Sequence, residues 1–236
     1  MYTPIEHHKI KSRYGSAIND PRTETFDLLL IQEPPTTAYR THVTHRIWRL
    51  LEPSNSDIDG RTRSLPFVNR RIATCTYEQL RCPHPDIVAL GLRNEGNCAL
   101  VCSVYVLLID SHLLNEPQTM HSTLDAINSV IRSHTENPER WVKLLVAGDF
   151  NCHHPAWTNG DMYERIMLYA EGLVNFMQIH SLKPCLPNGT PTYWSIRRPG
   201  QRSTPDTTLS NTLDTLVKCY LYDDNFGSNH RATISA

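Results

Sequence analysis

The sequence lacks several features that mark particular classes of protein. Its formal net charge is only −1, so no excess of positive charge attracts the whole molecule to nucleic acid, and any such contact depends on local basic patches. The longest apolar run, from Cys98 to Ile109, is shorter than the roughly 20 residues that cross a bilayer. No basic segment followed by an apolar run opens the chain, as in a secretory signal. We therefore expect an intracellular protein, nuclear or cytoplasmic, with no membrane partner.

The chain also lacks a disulfide pattern, although it contains seven cysteines. An odd number, scattered positions and no paired Cys-x-x-Cys spacing argue against a disulfide framework and for a reducing compartment. Two stretches place cysteine beside histidine, "CHH" at 152–154 and "CPHP" at 82–85. Adjacent residues cannot all turn their side chains onto one ion, and closed zinc sites separate their ligands by roughly two to five residues. The sequence therefore does not predict a zinc site at either place.

The chain is long and apolar enough for one sizeable core. It has 39% hydrophobic residues over 236 positions, and we expect a single domain over 1–236 with an atypical N-terminal strand region at 1–25. Helical spacing of apolar residues occurs at 120–131 and 166–177. Short apolar runs typical of strands occur at 26–31, 86–92, 99–108, 142–148, 213–222 and 230–235. Many strands with few helices predict an α+β sandwich whose loops gather at one edge.

Polar residues follow two of these strands where they end. "LLLIQEPP" ends in Glu33 and two prolines, and "LLVAGDFN" ends in Asp149 and Asn151. Carboxylates and an amide offer hard oxygen ligands and a possible general base, which suit Mg²⁺ better than zinc. An Asp at a strand end is more often a turn former or a helix cap. Each motif alone is therefore weak support for a catalytic site.

Taken in order, the motifs resemble the endonuclease/exonuclease/phosphatase superfamily, which includes apurinic/apyrimidinic endonucleases and pancreatic deoxyribonuclease. The likeness is closest to the endonuclease domain of fungal LINE-type (non-LTR) retrotransposons, and it extends from about Ile10 to Ile234. The segments that carry it are "FDLLLIQEPP", "VNRRIAT" (68–74), "VAGDFNCHHPAW", "RSTPDTTLS" (202–210) and "DDNFGSNHRATI" (223–234). The resemblance implies a four-layered α/β sandwich of two packed mixed β-sheets flanked by helices. "VNRRIAT" is expected to form an early hairpin, and the active site is expected in the cleft at one end.

The resemblance implies a role for each strand-end residue. Glu33 is expected to bind Mg²⁺, with Mn²⁺ as the alternative ion, which polarises a phosphate oxygen while a water attacks in line. Asp149 is expected to accept the proton of that water, and Asn151 to orient the phosphate or a base. Tyr105, at the end of "CSVY", is expected to direct its hydroxyl at the scissile phosphate. The implied activity is Mg²⁺-dependent DNA nicking of the non-LTR retrotransposon type, which leaves a 3′-hydroxyl and a 5′-phosphate.

A histidine near the C-terminus completes the implied site. His230 is expected to stabilise the charge that develops on the phosphate, with its ring held by Asp206 so that the correct nitrogen carries the proton. Asp214 in "NTLDTLV" is a rival partner because it also has a strand context. The closer likeness of "STPDTTLS" to the family segment favours Asp206.

Two positions of the implied metal site depart from the family pattern. The family has an early Asn in a strand resembling Asn-Val-x-Lys-Ser, whereas "HHKIKSR" (7–13) places His8 there. The family also has Asp before the catalytic His, where this chain has Asn229. An amide keeps the shape of a carboxylate but loses its charge and its capacity to take a proton. The alternative is therefore a catalytically impaired transposon relic that keeps the fold and weak DNA binding.

Contact with DNA, the implied partner, needs local cations beside aromatic side chains. Solvated surface charge is an equally good explanation for any single arginine. The candidates are Arg70 and Arg71 with Arg61 and Arg63, then Arg197, Arg198 and Arg202 beside Trp194, and His154 in the loop after Asn151.

The resemblance also bears on partners and on a third possible function. The family fuses this domain to a reverse transcriptase, which is absent after the final "RATISA", and we expect a monomer. The third possibility is a superfamily phosphatase that acts on a phosphorylated small molecule or a lipid. The segments "QEP", "HHPAW" and "STPD" favour the retrotransposon branch over it.

Overall fold

The computed structural model describes most of the chain. The described residues are 15–34, 45–54, 63–94, 97–107, 120–135, 142–158, 164–196, 198, 200–212 and 218–236. His8, Arg61, Arg197 and Asp214 lie outside them. Among the described helices, none has the length and apolarity that a membrane span needs.

The described residues form two long helices and a series of mostly short strands. The helices are α1 (Met120–Thr135) and α2 (Glu164–Ile179). The strands are β1 (Leu28–Gln32), β2 (Trp48–Leu50), β3 (Ser64–Asn69), β4 (Tyr77–Leu80), β5 (Ile87–Asn94), β6 (Asn97–Tyr105), β7 (Val142–Asp149), β8 (Lys183–Pro184), β9 (Tyr193–Trp194), β10 (Arg202–Ser203), β11 (Asp206–Ser210), β12 (Cys219–Leu221) and β13 (Thr233–Ser235).

A six-stranded sheet in the order β4-β5-β6-β7-β11-β8, here called the large sheet, forms the centre of the molecule. β6 and β7 are parallel, with α1 between them in the chain, whereas the other neighbours pair antiparallel. The apolar sides of α1 and α2 pack on one face of this sheet. Leu100 and Val104 of β6 share a buried cluster with Leu124 of α1 and Leu173 of α2. The helical spacing seen in the sequence therefore marks the faces that meet the sheet.

The other face of the large sheet packs on a three-stranded antiparallel sheet in the order β1-β3-β2, here called the small sheet. Val101 of β6 and Val68 of β3 lie in one buried cluster between the sheets. The Ser64 hydroxyl of β3 donates a hydrogen bond to the Ser103 hydroxyl of β6 at 2.7 Å. Since β6 is covered on both faces, nearly every side chain along it is buried, which explains its continuous apolar sequence.

The outer face of the small sheet has its own apolar cluster. Side chains alternate along a strand, so Leu65 and Phe67 of β3 point away from the large sheet and pack with Trp48 and Ile18. Ile18 belongs to a short helical segment at residues 15–19. Helices, large sheet, small sheet and this segment make four layers, which confirms the predicted four-layered sandwich. Among the described strands, the parallel pairing lies in the large sheet.

The predicted hairpin at 68–74 is wrong. β3 ends at Asn69, the chain turns, and a 3-10 turn at Thr74–Thr76 leads into β4, which pairs with β5 instead of β3. The Asn69 side-chain amide donates to the Glu24 and Phe26 carbonyls at 2.9 Å each. This side chain ties the turn to the segment before β1, which directs the chain away from a return strand.

Two short strand pairs lie near the C-terminus. β9 and β10 form an antiparallel pair, and β12 pairs with β13. The strand predicted at 213–222 is seen as β12 over 219–221, with 213–217 outside the described residues. An isolated bridge between Tyr193 and His230 connects the two pairs. This bridge brings the loop before β13 to the end of the large sheet.

Candidate active site

Three polar side chains lie next to one another at one edge of the large sheet. Tyr105 ends β6, Asp149 ends β7 and Asp206 begins β11. Strand pairing aligns Asp149 with Tyr105 on one side and with Asp206 on the other. Neighbouring strands are about 4.8 Å apart, so a phenol and two carboxylates from distant parts of the sequence meet there.

The backbone at the end of β7 requires the residue types found there. Gly148 has a φ of +156° and lies so close to β6 that a Cβ atom would overlap the Val104 carbonyl. Asn151 has a φ of 48°, a left-handed conformation that Asn tolerates better than most residues. Its side-chain amide donates to the Val106 carbonyl at 2.8 Å, and its backbone N–H donates to the Asp149 carboxylate at 2.9 Å. Asn151 therefore fixes the loop and orients Asp149.

Glu33 reaches the same edge from the small sheet. It follows β1 directly with a φ of 47°, and its backbone N–H donates to the Arg63 carbonyl at 2.8 Å. The Tyr105 hydroxyl donates to Glu33 Oε1 at 2.7 Å. Burial raises the pKa of Tyr105, and the negative charge of Glu33 raises it further. The phenol is therefore neutral near pH 7 and acts as a hydrogen-bond donor.

Asp149, Asp206 and His230 form a compact acid–histidine group. One ligand atom from each lies within 4.8 Å of the others, and His230 Nδ1 is 2.9 Å from Asp206 Oδ2. The ring of Tyr193 packs edge-on against the imidazole, with centroids 4.8 Å apart. Burial acts to lower the pKa of His230, but the hydrogen bond that Nδ1 donates to Asp206 and the surrounding carboxylate charges outweigh it and raise the pKa. The site therefore favours the imidazolium form.

The donor atoms fit a divalent cation. Burial, followed by the negative charge of Asp206, raises the pKa of Asp149 to about 7. Such an increase means that burial and the neighbouring carboxylate disfavour the charged form of Asp149 even though His230 acts against them, and a bound cation would favour that charged form. Carboxylate oxygens in this arrangement are ligands that Mg²⁺ and Mn²⁺ prefer.

The group that could hold a metal differs from the set implied by the resemblance. It consists of Asp149, Asp206 and His230, whereas the resemblance named Glu33, Asn229 and His8. Asn229 is half-buried, and His8 lies outside the described residues. Glu33 and Asn229 line the same cleft of about 2020 Å³ as the acid–histidine group. The structure therefore brings every described catalytic and metal candidate to one end of the sandwich.

Comparison with known families identifies the relatives of the chain. A family model described as endonuclease-reverse transcriptase, of the endonuclease/exonuclease/phosphatase type, matches residues 100–234, which is more than half of the chain. The chain belongs to this family. No curated protein is similar enough to match it. The superfamily recognised from the ordered motifs is confirmed.

Solved structures show the same fold in other endonuclease/exonuclease/phosphatase proteins. The endonuclease domain of TRAS1, a telomere-specific non-LTR retrotransposon, has a TM-score of 0.65 at 20% identity, over 99% of this chain and 92% of that one. AP endonuclease LMAP from Leishmania major has a TM-score of 0.71 at 13% identity, over 96% and 83%. The 3′ phosphatase NExo from Neisseria, bound to a product DNA hairpin, has a TM-score of 0.55 at 13% identity, over 97% and 94%. At these identities the likeness shows the fold.

Some predicted DNA contacts of this endonuclease-family chain lie beside the site. Trp194 is in β9, and the Arg231 guanidinium lies 5.2 Å from the centre of its ring. Arg198 is exposed in the turn between β9 and β10, where its N–H donates to a serine hydroxyl at 3.1 Å. His154 lies in the loop after β7, with Nδ1 accepting from the Ala156 N–H at 3.1 Å. Cationic and aromatic side chains thus lie on the segments that border the acid–histidine group.

Arg70 and Arg71 lie at the other end of the small sheet from Glu33. Arg71 forms an ion pair with Asp27 at 2.6 Å, and the Arg70 guanidinium donates to the His45 carbonyl at 2.9 Å. Asp27 and Glu33 flank opposite ends of β1, and a strand rises about 3.3 Å per residue, so roughly 20 Å separates them. Arg71 lines the same elongated cleft as the acid–histidine group, and the contact of these two arginines with DNA stays a prediction.

Cys152, His153 and His154, which follow Asn151, pack within the loop after β7. Cys152 is buried, and burial raises the pKa of its thiol to about 12. Burial also lowers the pKa of His153, and the His154 ring packs on Trp157 with centroids 5.3 Å apart.

The sequence does not reveal the contacts of three residues near the site. Asp86 precedes β5 and is completely buried, although its sequence context is that of an ordinary strand start. Arg63 was grouped with surface cations, yet it forms an ion pair with Asp86 at 2.8 Å. Arg231 follows His230 in the terminal motif, and only the fold shows its contact with an indole ring.

Proposed function

We propose that this chain is a divalent-metal-dependent DNA endonuclease that nicks one strand by phosphodiester hydrolysis. One observation carries the proposal: the acid–histidine group of Asp149, Asp206 and His230 shares a cleft with Glu33. Such a site can accept a proton, stabilise negative charge and hold a cation. Membership in an endonuclease-reverse transcriptase family supports DNA as the substrate.

The carboxylates have separate tasks in this mechanism. Glu33 would hold a Mg²⁺ or Mn²⁺ ion beside the acid–histidine group, and Asp149 would accept the proton of the attacking water. When bound, the ion polarises a phosphate oxygen and neutralises developing charge. Asn151 holds the Asp149 carboxylate through its backbone N–H, so the base is oriented before substrate arrives. Tyr105 supplies a neutral hydroxyl toward the same edge of the sheet.

His230 stabilises the charge that builds on the phosphate. Its Nδ1 is engaged by Asp206, which leaves Nε2 as the nitrogen that donates to a phosphate oxygen. The raised pKa of His230 favours the protonated ring. A positioned imidazolium beside a developing oxyanion stabilises the transition state more than the ground state.

DNA would lie across the end of the sandwich. Trp194 offers a ring face, and Arg231 and Arg198 offer positive charge on the same side of the site. Arg197 is adjacent in sequence and lies outside the described residues. His154 is in the loop after β7. Stacking and phosphate contacts of this kind bind nucleic acid without requiring a net positive protein.

Closed circular DNA separates this proposal from a phosphatase or an exonuclease, because it has no ends. We expect purified protein with Mg²⁺ to convert supercoiled plasmid to open circles, and EDTA to prevent the conversion. DNA ligase should reseal the nicks, because it requires a 3′-hydroxyl and a 5′-phosphate. Release of phosphate from 3′-phosphorylated oligonucleotides without plasmid nicking would instead support a phosphatase.

A second candidate is a catalytically weakened endonuclease that keeps the fold and DNA affinity. Asn229 favours it, because a neutral amide in the cleft replaces the carboxylate expected from the family. We predict that Asn229→Asp raises Mg²⁺-dependent nicking by roughly tenfold or more. Plasmid nicking at several Mg²⁺ concentrations measures the effect, with Asn225→Asp, in the same loop, as the control. If Asn229→Asp lowers nicking, Asn229 is an adapted residue and the weakened candidate is wrong.

A further inference from the structure

Asp86 is a completely buried carboxylate beside the site. It lies just before β5, and its two oxygens bind a single partner. Asp86 Oδ1 accepts from the Arg63 backbone N–H, and Oδ2 accepts from the Arg63 guanidinium, both at 2.8 Å. The Asp86 carbonyl accepts from the Tyr105 backbone N–H at 3.0 Å. One buried residue therefore fixes both Arg63 and the end of β6.

Arg63 continues the connection to the small sheet. Its carbonyl accepts from the Glu33 backbone N–H at 2.8 Å, and its guanidinium carbon lies 5.9 Å from the centre of the Tyr105 ring. The Arg63 side chain is 26% exposed and lines the cleft. Because Tyr105 donates to Glu33 at 2.7 Å, the contacts close a ring that runs through Asp86, Arg63, Glu33 and Tyr105.

Stability alone gives a weak reason for this ion pair. Removing a carboxylate from water is costly, and apolar residues of similar volume often stabilise a core as well as a buried ion pair does. Burial raises the pKa of Asp86, and Arg63 acts against that increase. The His84 imidazole accepts from the Asp86 N–H at 3.2 Å, so the backbone of the segment is also held. Through the Arg63 and Asp86 carbonyls, this buried ion pair is connected to Glu33 and Tyr105 of the candidate site.

We propose that Asp86 and Arg63 are positioning residues that hold the Glu33 carboxylate and the Tyr105 hydroxyl in register with the acid–histidine group. The inference rests on the proposed function and deepens it. Asp86 and Arg63 act through the backbone of Glu33 and Tyr105, which come from different sheets and need a common anchor. A shift of about 1 Å in such groups lowers catalysis on the order of 10²-fold.

The test compares three variants with a matched control. Asp86→Asn keeps the shape but removes the charge, Arg63→Met removes the guanidinium, and Arg63→Lys keeps a charge without the planar fork. Arg93→Met is the control, because it breaks the exposed Arg93–Glu78 pair at the far end of β5. For each protein we would measure the melting temperature, the Mg²⁺ concentration for half-maximal nicking, and Mn²⁺ affinity by electron paramagnetic resonance.

We expect Asp86→Asn and Arg63→Met to raise the half-maximal Mg²⁺ concentration by roughly tenfold and to lower the nicking rate about 10²-fold. Arg63→Lys should recover part of the loss, and Arg93→Met should match the wild type. Variants that melt lower but keep the wild-type Mg²⁺ midpoint and Mn²⁺ affinity would show a purely structural pair and overturn the proposal.

The same measurements separate this proposal from the proposed function. A wild type that binds Mn²⁺ but nicks no plasmid contradicts the endonuclease, while weaker Mn²⁺ binding in Asp86→Asn and Arg63→Met still supports positioning. A wild type that nicks, with variants unchanged in both metal measurements, overturns the positioning alone. A wild type that neither binds Mn²⁺ nor nicks overturns both.

Discussion

At the scale of single residues, Asp149 shows how catalysis and stability make opposite demands. Its pKa is raised to about 7 by burial and then by the negative charge of Asp206, so the folded state holds a proton that the unfolded chain releases near pH 4. Folding stability from this group is therefore present below about pH 4 and is lost as the pH rises toward 7. Above pH 7 the folded protein carries a buried charge that His230 offsets only in part.

We predict that Asp149→Asn stabilises the metal-free protein at pH 8, by on the order of 2 kcal/mol. Asn keeps the shape and removes the charge, so the gain should shrink as the pH falls toward 5. Thermal or urea unfolding in EDTA at both pH values measures it. Mg²⁺ should stabilise the wild type more than the variant, because the ion compensates the carboxylate. An equal difference between the two proteins at pH 5 and pH 8 would contradict the assignment of the raised pKa to Asp149.

The sequence predicts the position of some site residues better than that of others. Asp149, Asn151 and Glu33 follow apolar strands inside quoted motifs, so their approach to one edge could be predicted. The roles of Asp86 and Arg63 could not be predicted. They depend on contacts between distant segments of the chain, and the sequence does not show which segments meet. The positions of Arg70 and Arg71 were missed for a similar reason. Their charge was visible, but the end of the sheet on which they lie was not.

At the scale of secondary-structure elements, the β6–β7 pairing places the site and depends on one glycine. A Cβ at Gly148 would overlap the Val104 carbonyl, whereas a Cβ at Gly172 in α2 would make ordinary contact with Leu124 at 3.6 Å. The same chemical change should therefore have opposite effects at the two positions.

We predict that Gly148→Ala destabilises the fold by about 3 kcal/mol or more, because the backbone of β6 must move. Gly172→Ala should stabilise it by about 0.5–1 kcal/mol through helix propensity. Urea unfolding of both variants and the wild type measures the two free energies. Equal effects of the two substitutions would contradict the described pairing at the end of β7.

A thiol pair links the C-terminal strands to the large sheet. A hydrogen bond from Cys185 lowers the pKa of Cys219 to about 7. We predict that alkylation of Cys219 by iodoacetamide becomes half-maximal near pH 7, and that Cys185→Ala moves this midpoint upward. Peptide mass spectrometry across pH 6–9 measures each cysteine separately. A Cys219 profile that does not change in Cys185→Ala would show that the two thiols are not in contact.

The apolar runs predicted the long central strands, since β5 and β6 are largely buried on both faces and have continuous hydrophobic segments. The two helices were visible for a similar reason, because their apolar residues recur at helical spacing. The two-residue strands β8, β9 and β10 have too few residues to show a period. The hairpin expected at 68–74 was wrong because the Asn69 side chain ties that turn to the segment before β1.

At the scale of the whole molecule, the proposed function depends on the residues that the two sheets bring to the cleft at one end of the sandwich. The net charge of −1 gives no general attraction for DNA, so recognition must come from the few cations and rings that border the cleft. The order of the large sheet and the packing of the small sheet bring residues from both ends of the chain to that cleft. The family motifs predicted this convergence, while strand order and the exact partners required the structure.

The nicking rate of Asp149→Asn relative to the wild type, on supercoiled plasmid in Mg²⁺ at pH 8, tests the central claim most directly. The variant is expected to fold at least as well as the wild type, so a lost activity cannot be ascribed to unfolding. Positioned proton transfer contributes about 10²–10⁴-fold, and a loss of that size is predicted, with no nicking by either protein in EDTA. A variant that nicks at the wild-type rate would place the chemistry outside the acid–histidine group and contradict the account.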